Sequence, residues 1–449
     1  MNFFRQFPRS FWVSNFMELF ERMAYYGMYN VLALYLTGQI GEGCLGFSKQ
    51  STGLMMGIYT FFLYMIPIFG GAMADRYGYK KAFVFALSSL SIAYFTMAYT
   101  KSYYAIFAAL MLVSMGGAVF KPTLTGTISK TTDEKTSSLG FGIYYMIVNI
   151  GGFLGPLVAS TLRVHNWSYV FLASSIWVGL MLIPAVFLYR EPGERDAKEK
   201  ERHGFGHVIA DSMLVIANWR FMTLLVIFSG FWIVFFQLFL TMSLYLRDYV
   251  NTLPLLEAVK NLSSALHAPW TAALEHRISL VAAGTIRAGE AVPPELLTNL
   301  DAGAIILFQL VVSRITSCFR PLPAMIGGIA VAGCAMFIAG STQVVWIVLL
   351  SIFVLALGEM AASPKFLEYV GKIAPPEQVA LFLGYGFLPI GIGSFVANTL
   401  GGTMYSLLEA HRITPMMMWS VYGAIALVTA FLLALYHRYI APGLTSRPE

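Results

Sequence analysis

The sequence has 449 residues, 57% hydrophobic and 15% aromatic, with only 12% charged. A soluble domain carries about 25% charged residues, so a soluble globular protein, a disordered chain and a disulfide scaffold are all excluded. The apolar residues come in long blocks, many reaching the ~18 residues that let a helix cross a bilayer. The net charge of +6 fits a Lys/Arg surplus on one set of loops, because no patch interleaves aromatic and basic residues as a nucleic-acid site does. Cys44, Cys318 and Cys334 have neither metal-ligand nor CxxC spacing, so neither a metal site nor a disulfide framework is expected. The first apolar block has charges inside it and no small-residue cleavage site, so it reads as a retained helix.

Twelve spans are expected in chain order: 12–37, 51–73, 82–100, 103–126, 140–162, 167–189, 221–246, 302–319, 322–340, 343–363, 378–405 and 416–438. The fold class is therefore an all-α membrane protein. Between spans six and seven runs the densest charge stretch, Arg190 to Arg220. It divides the chain into a six-helix half at 1–190, a linker at 191–220 and a second half at 221–449. Most Lys and Arg fall on the side of the termini, which places both termini in the cytoplasm. An insert at 251–299 lies on the outer side. Its charges, including Glu257, Lys260, Glu275 and Arg277, recur too often for a span. It reads as an amphipathic helical hairpin near the outer membrane surface, with a poorly ordered cap as the alternative.

Two six-helix halves and a charged linker fit the architecture of the major facilitator superfamily, where substrate sits near the midplane between the halves. The loop after span two resembles that superfamily's signature, with Gly71, Asp75, Arg76, Gly78, Lys80 and Lys81 in register. Gly78 permits a tight turn, and Asp75 can sit at a helix end and pair with the basic residues. A conformational role is expected for this loop.

The first span carries Glu18, Glu21 and Arg22. Their i,i+3 and i,i+4 spacings put all three on one helical face. Each such charge costs about 2.5–3.5 kcal/mol at a helix centre, and two carboxylates beside one guanidinium need a further cation or a proton. A static buried ion network is the plainer reading, but burying charges is a poor route to stability. Lys121 in span four, followed by Pro122, supplies the cation, and Glu359 in span ten is a lone acid in an apolar setting. A Lys121–Glu359 pair across the midplane would lock one face and break when Glu359 takes a proton. Each residue could instead find a partner in its own half.

The run Glu18-x-x-Glu21-Arg22 with Tyr25, Tyr26 and Gly27 resembles the hallmark of the proton-dependent oligopeptide transporter family. Phe120-Lys121-Pro122, the block Phe141 to Pro156, Phe231-Trp232 with Gln237, and Glu359 with Ser363-Pro364 resemble further blocks in the same order. The resemblance implies proton-driven uptake of di- and tripeptides through a twelve-helix major facilitator fold. It implies proton coupling by Glu18, Glu21, Arg22, Lys121 and Glu359. Substrate contacts follow for Arg22, Tyr25, Tyr26, Tyr29, Tyr64, Lys121, Asn149, Trp232, Glu359 and Ser363, with Asn299 as a weaker match on span eight. A zwitterion needs a cationic and an anionic pole, and aromatic walls accept varied side chains. For each tyrosine taken alone, ordinary packing or an interfacial belt is an equal alternative.

Three departures stand out. Many members of the family pair a first-helix arginine with a seventh-helix acid where this chain has Tyr29 and Phe236. Their joint loss avoids a stranded charge and points to an aromatic outer gate. Gly386 stands near the expected eleventh-helix tryptophan, implying a wider pocket. The linker lacks the two extra helices often present in bacterial relatives.

The expected function is a proton-coupled symporter importing di- and tripeptides by alternating access. The alternative is a transporter of a modified amino acid, an anion or a drug, with altered coupling or efflux. No enzyme motif is visible. No cofactor is expected beyond the coupling proton, and the expected partners are small peptides and the lipid bilayer, with no nucleic acid. A monomer in a bacterial inner membrane is expected.

Overall fold

The computed structural model describes residues 7–67, 74, 76–133, 136–192, 215–375 and 378–443. Among these residues the chain is helical, with no strand. The first half contains α1 (Arg9–Thr37), α2 (Lys49–Met65), α3 (Tyr79–Tyr99), α4 (Tyr103–Thr131), α5 (Ser137–Arg163) and α6 (Trp167–Leu180), with a π-helical turn at Pro184–Leu188. The second contains α7 (Trp219–Phe235), a 3-10 turn at Phe236–Leu238, and α8 (Thr241–Tyr249), which together make one rod. Then come α9 (Leu253–Ala265), α10 (Thr271–Ala282), α11 (Pro294–Thr298), α12 (Leu300–Thr316), α13 (Pro321–Ser341), α14 (Val345–Ile373), α15 (Val379–Tyr385), α16 (Leu388–Glu409) and α17 (Pro415–Tyr439).

Among the described residues, ten rods are long and apolar enough to cross a membrane. The remaining two of the twelve expected spans correspond to α1, which carries the intramembrane charges, and α2, described over 17 residues. Side chains cap the starts of four helices: Ser48, Asn166, Asn218 and Thr414 each accept a backbone N–H from the first turn, satisfying donors that have no partner within the helix. Pro321 and Pro415 open α13 and α17, where a missing N–H costs nothing. Pro122 does not interrupt α4, which runs unbroken through it. The outer surface of the bundle is apolar, with Leu307, Leu310 and Phe187 at least 73% exposed, as lipid contact requires. The insert at 251–299 is ordered around the helical pair α9 and α10. The linker expected at 191–220 falls mostly outside the described residues.

Backbone contact positions the helices that matter. An added Cβ on Gly155 of α5 would lie 2.5 Å from the Met23 carbonyl of α1, and one on Gly151 would meet the Arg22 side chain at 2.7 Å. The two backbones therefore touch, and α5 fixes the turn of α1 that carries Arg22. Between halves, α2 and α16 make a similar seam. A Cβ on Gly53 would fall 2.3 Å from the Asn398 carbonyl, and one on Gly402 would fall 2.3 Å from the Lys49 carbonyl. Small residues spaced in this way let membrane helices pack by their main chains.

Candidate functional site

Glu18, Glu21 and Arg22 are all buried on α1, at 0%, 1% and 7% exposure. Arg22 bonds Glu21 at 2.5 Å and pairs with Glu18 at 3.5 Å. Neither Glu18 carboxylate oxygen has a hydrogen-bond partner. The charge of Lys121 from α4 acts on Glu18, so two acids and two cations balance within the first half. The Lys121 amino group lies 5.6 Å from the centre of the Phe387 ring, a cation–π contact that crosses to the second half.

The expected Lys121–Glu359 pair is not formed among the described residues. Glu359 is half-buried on α14, its Oε2 is unpartnered, and the charged group acting on it is Asp301 of α12. Among the described residues, Lys121 thus keeps its charged partners in its own half, while Glu359 meets a second acid and no base. In this conformation the halves are joined elsewhere, which leaves this pair nothing to lock.

Aromatic groups occupy the ground between the poles. Arg22 sits 5.1 Å from the Tyr25 ring centre and 6.0 Å from that of Tyr26. The charges of Glu18, Glu21, Arg22 and Glu359 all act on the Tyr26 hydroxyl, while those of Arg22 and Glu359 act on Tyr64. Tyr145 of α5 feels both Glu359 and Asp301. Tyr29 stacks on Tyr25 and lies 5.0 Å from Phe239, and Phe236 lies 6.1 Å from Tyr64. Tyr29 and Phe236 thus belong to an aromatic seam between halves. Trp232 packs against Phe235 and Phe236 with its indole N–H unpartnered. Asn149 donates its amide to the Tyr145 carbonyl at 2.8 Å, and Ser363 lies one turn beyond Glu359 on α14. At Gly386 an added Cβ would meet the Leu383 carbonyl at 2.8 Å, so a side chain there would collide with backbone.

The face opposite the start of α1, here the far face, is closed by charge. Arg163 at the end of α5 bonds Glu295 of α11 through Nε and, at 3.1 Å, through Nη2. Its Nη1 reaches Glu290 at 3.2 Å, and its guanidinium stacks over Trp167. Glu295 is fully buried. Arg287 donates to Glu42 at 3.0 Å, Lys49 pairs with Glu409 at 3.3 Å, and the Asn299 amide donates to the Phe153 carbonyl at 2.9 Å. Among the described residues, every ion pair between the halves lies on this face. Asn299 is used in this closure. The acid Asp301, two residues on, is the one that faces Glu359.

Of the signature loop, Gly71 and Asp75 lie outside the described residues, and Arg76 stacks over Tyr77. Gly78 adopts φ +94° and leads into α3, whose first N–H groups donate to the Glu191 carboxylate, that of Lys80 at 2.8 Å. A carboxylate at a helix N-terminus is favourable. Lys81 is exposed.

The model of the family described as Major Facilitator Superfamily matches residues 11–289. The chain belongs to that superfamily. It is 26% identical to dipeptide and tripeptide permease A of Citrobacter koseri, over 95% of this chain and 90% of the relative. It is 32% identical to the uncharacterized transporter YclF of Bacillus subtilis, over 39% of this chain and 37% of the relative. The crystal structure of peptide transporter POT in complex with sulfate superposes with a TM-score of 0.73 at 20% identity, covering 97% of this chain and 95% of that one. The permease likeness agrees with the branch read from the motifs, and the structural likeness with the fold.

Within the superfamily fold, sequence reasoning missed Asp301 and the charged closure. Asp301 lies one residue before the expected start of span eight. Helix α12 begins at Leu300, so the acid belongs to the span. Glu290 and Glu295 lay inside the insert, where acids look like ordinary surface residues.

Proposed function

We propose that this protein is a proton-coupled symporter that imports di- and tripeptides by alternating access. It works as a monomer in a bacterial inner membrane, with both termini cytoplasmic and the far face outward. The division into halves at 1–190 and 221–449, joined by the linker, supplies the two rocking bodies. One observation carries the reading. A balanced set with two cations, Arg22 and Lys121, lies in one half and the acid Glu359 in the other, with Tyr26 and Tyr64 under the charges of both. That arrangement is complementary to a zwitterion a few residues long.

Arg22 and Lys121 take the peptide carboxylate and Glu359 the amino group. Arg22 is engaged by Glu21 and Glu18. A proton arriving on either acid weakens its hold and frees the guanidinium for the substrate. Tyr25, Tyr26, Tyr29, Tyr64, Asn149, Trp232 and Ser363 form walls that tolerate varied side chains. Such a transporter needs no enzymatic cofactor, and the proton is the coupling ion.

The test is uptake of labelled di-alanine into liposomes, with and without an inward proton gradient, for wild type, Glu21→Gln and Lys121→Ala. Wild-type uptake should follow the gradient, Glu21→Gln should lose that dependence, and Lys121→Ala should lose most uptake. Gradient-independent uptake by wild type would overturn the coupling, and full uptake by Lys121→Ala would overturn the carboxylate site.

A further inference from the structure

The charge balance of the two halves is unequal. In the first half, Glu18 and Glu21 are offset by Arg22 and Lys121. In the second, Asp301 on α12 and Glu359 on α14 share one region. Ala304 of α12 packs with Ala356 and Met360 of α14 in one apolar cluster, and Gln309 donates to the Met360 carbonyl. Asp301 lies one turn before Ala304, and Glu359 one turn after Ala356, so both acids stand on the facing stripes of packed helices.

Asp301 is 6% exposed with Oδ1 buried and unpartnered, while half-buried Glu359 has Oε2 unpartnered. The titratable groups facing the pair are Tyr145 of α5, which feels both acids, and Tyr26 of α1 and Tyr64 of α2, which feel Glu359. No Lys, Arg or His among the described residues acts on either carboxylate. The nearby amides are committed: Asn299 to Phe153, and Gln309 to Ser313 and Met360.

We propose that Asp301 and Glu359 form a two-carboxylate site for the amino end of the substrate, which selects peptides carrying a second positive charge near that end. The proposal rests on the peptide-transport reading and deepens it. Two carboxylates in an apolar setting need positive charge beside them. A single ammonium group satisfies one acid and leaves a proton on the other. A substrate with an ammonium terminus and a nearby cationic side chain satisfies both, and the retained proton leaves to water. Asp301 therefore sets specificity and links substrate charge to protons carried.

Two measurements test this. In liposomes, the ratio of lysyl-alanine to di-alanine uptake should rise with pH in wild type. Asp301→Asn should lower that ratio about tenfold, the scale of one charge-assisted contact, and flatten its pH profile, with Asp301→Glu restoring both. A wild-type ratio that ignores pH and the Asn substitution overturns the proposal. If wild type transports neither peptide, the peptide reading itself fails. The second measurement does not need transport. 1,5-Diaminopentane added to weakly buffered purified protein should release about one more proton per molecule from wild type than from Asp301→Asn, as the arithmetic of the pair requires. Absence of release from wild type, or equal release from a monodisperse Asp301→Asn, overturns the proposal whatever the substrate.

Discussion

Replacing Arg163 by Gln should throw the transporter open on its far face. In the observed conformation Arg163 bridges Glu295 and Glu290 across the two halves, and Glu295 is fully buried. Removing one member of a buried pair costs about 3–5 kcal/mol, because the remaining charge stays desolvated. That cost falls on the far-closed state alone, since opening separates the halves and lets water reach Glu295. At ~1.4 kcal/mol per decade, the lower figure shifts the closed-to-open ratio about 100-fold. Cys44 reports the change. It is 2% exposed, lies within reach of the charges of Arg163 and Glu290, and burial pushes its thiol up to about 12. It is therefore inert while covered. With Cys318 and Cys334 changed to Ser, labelling of Cys44 by a membrane-impermeant maleimide should accelerate by about two orders of magnitude in Arg163→Gln. A rate within about threefold of wild type, in a variant that still runs as one species in detergent, would mean that the charged closure does not hold this face.

Two further outcomes follow from close contacts. Gly78→Ala forces a side chain into φ +94° and to 3.0 Å from the Glu191 carboxylate. A loss of about 1–3 kcal/mol should appear as a lower melting temperature, and unchanged melting would remove the strain argument. Gly155→Ala puts a methyl group 2.5 Å from the Met23 carbonyl. Overpacking of about 1–3 kcal/mol should displace α1 with Arg22 and Tyr26, abolishing peptide uptake before the protein ceases to fold, whereas normal uptake would show that α5 does not fix that turn.

The long rods were legible because twenty apolar residues have few alternatives in a helical membrane chain. Local breaks were less so. The 3-10 turn at Phe236–Leu238 and the interruption between α15 and α16 fall inside continuous apolar runs, where hydropathy carries no signal. Glu18, Glu21 and Arg22 were readable as a cluster because helical spacing fixes their common face. The partner of Glu359 was not, since pairing across helices depends on tertiary placement and on which face is shut. Asp301 was hidden by a boundary, because one residue of error moved it from the bundle to water. The loss of ionic partners at Tyr29 and Phe236 and the aromatic contacts that take their place were visible, but the charged closure of the far face was not. Arg163 and Glu295 are 132 positions apart, and nothing local in either segment announces the other.

The seam of Gly53 against Asn398 and Gly402 against Lys49 has a mechanical consequence. Two main chains in contact have no side-chain rotamers to yield between them. Pressing them closer meets hard atoms, and parting them forfeits close packing that lipid tails do not replace. Sliding would carry glycines past bulkier neighbours and jam. Lys49 also pairs with Glu409 in the charged closure, so the seam belongs to the far face and must part when that face opens. The glycines thus serve the closed far face alone, and a methyl group placed on either would weigh on that state and spare the open one.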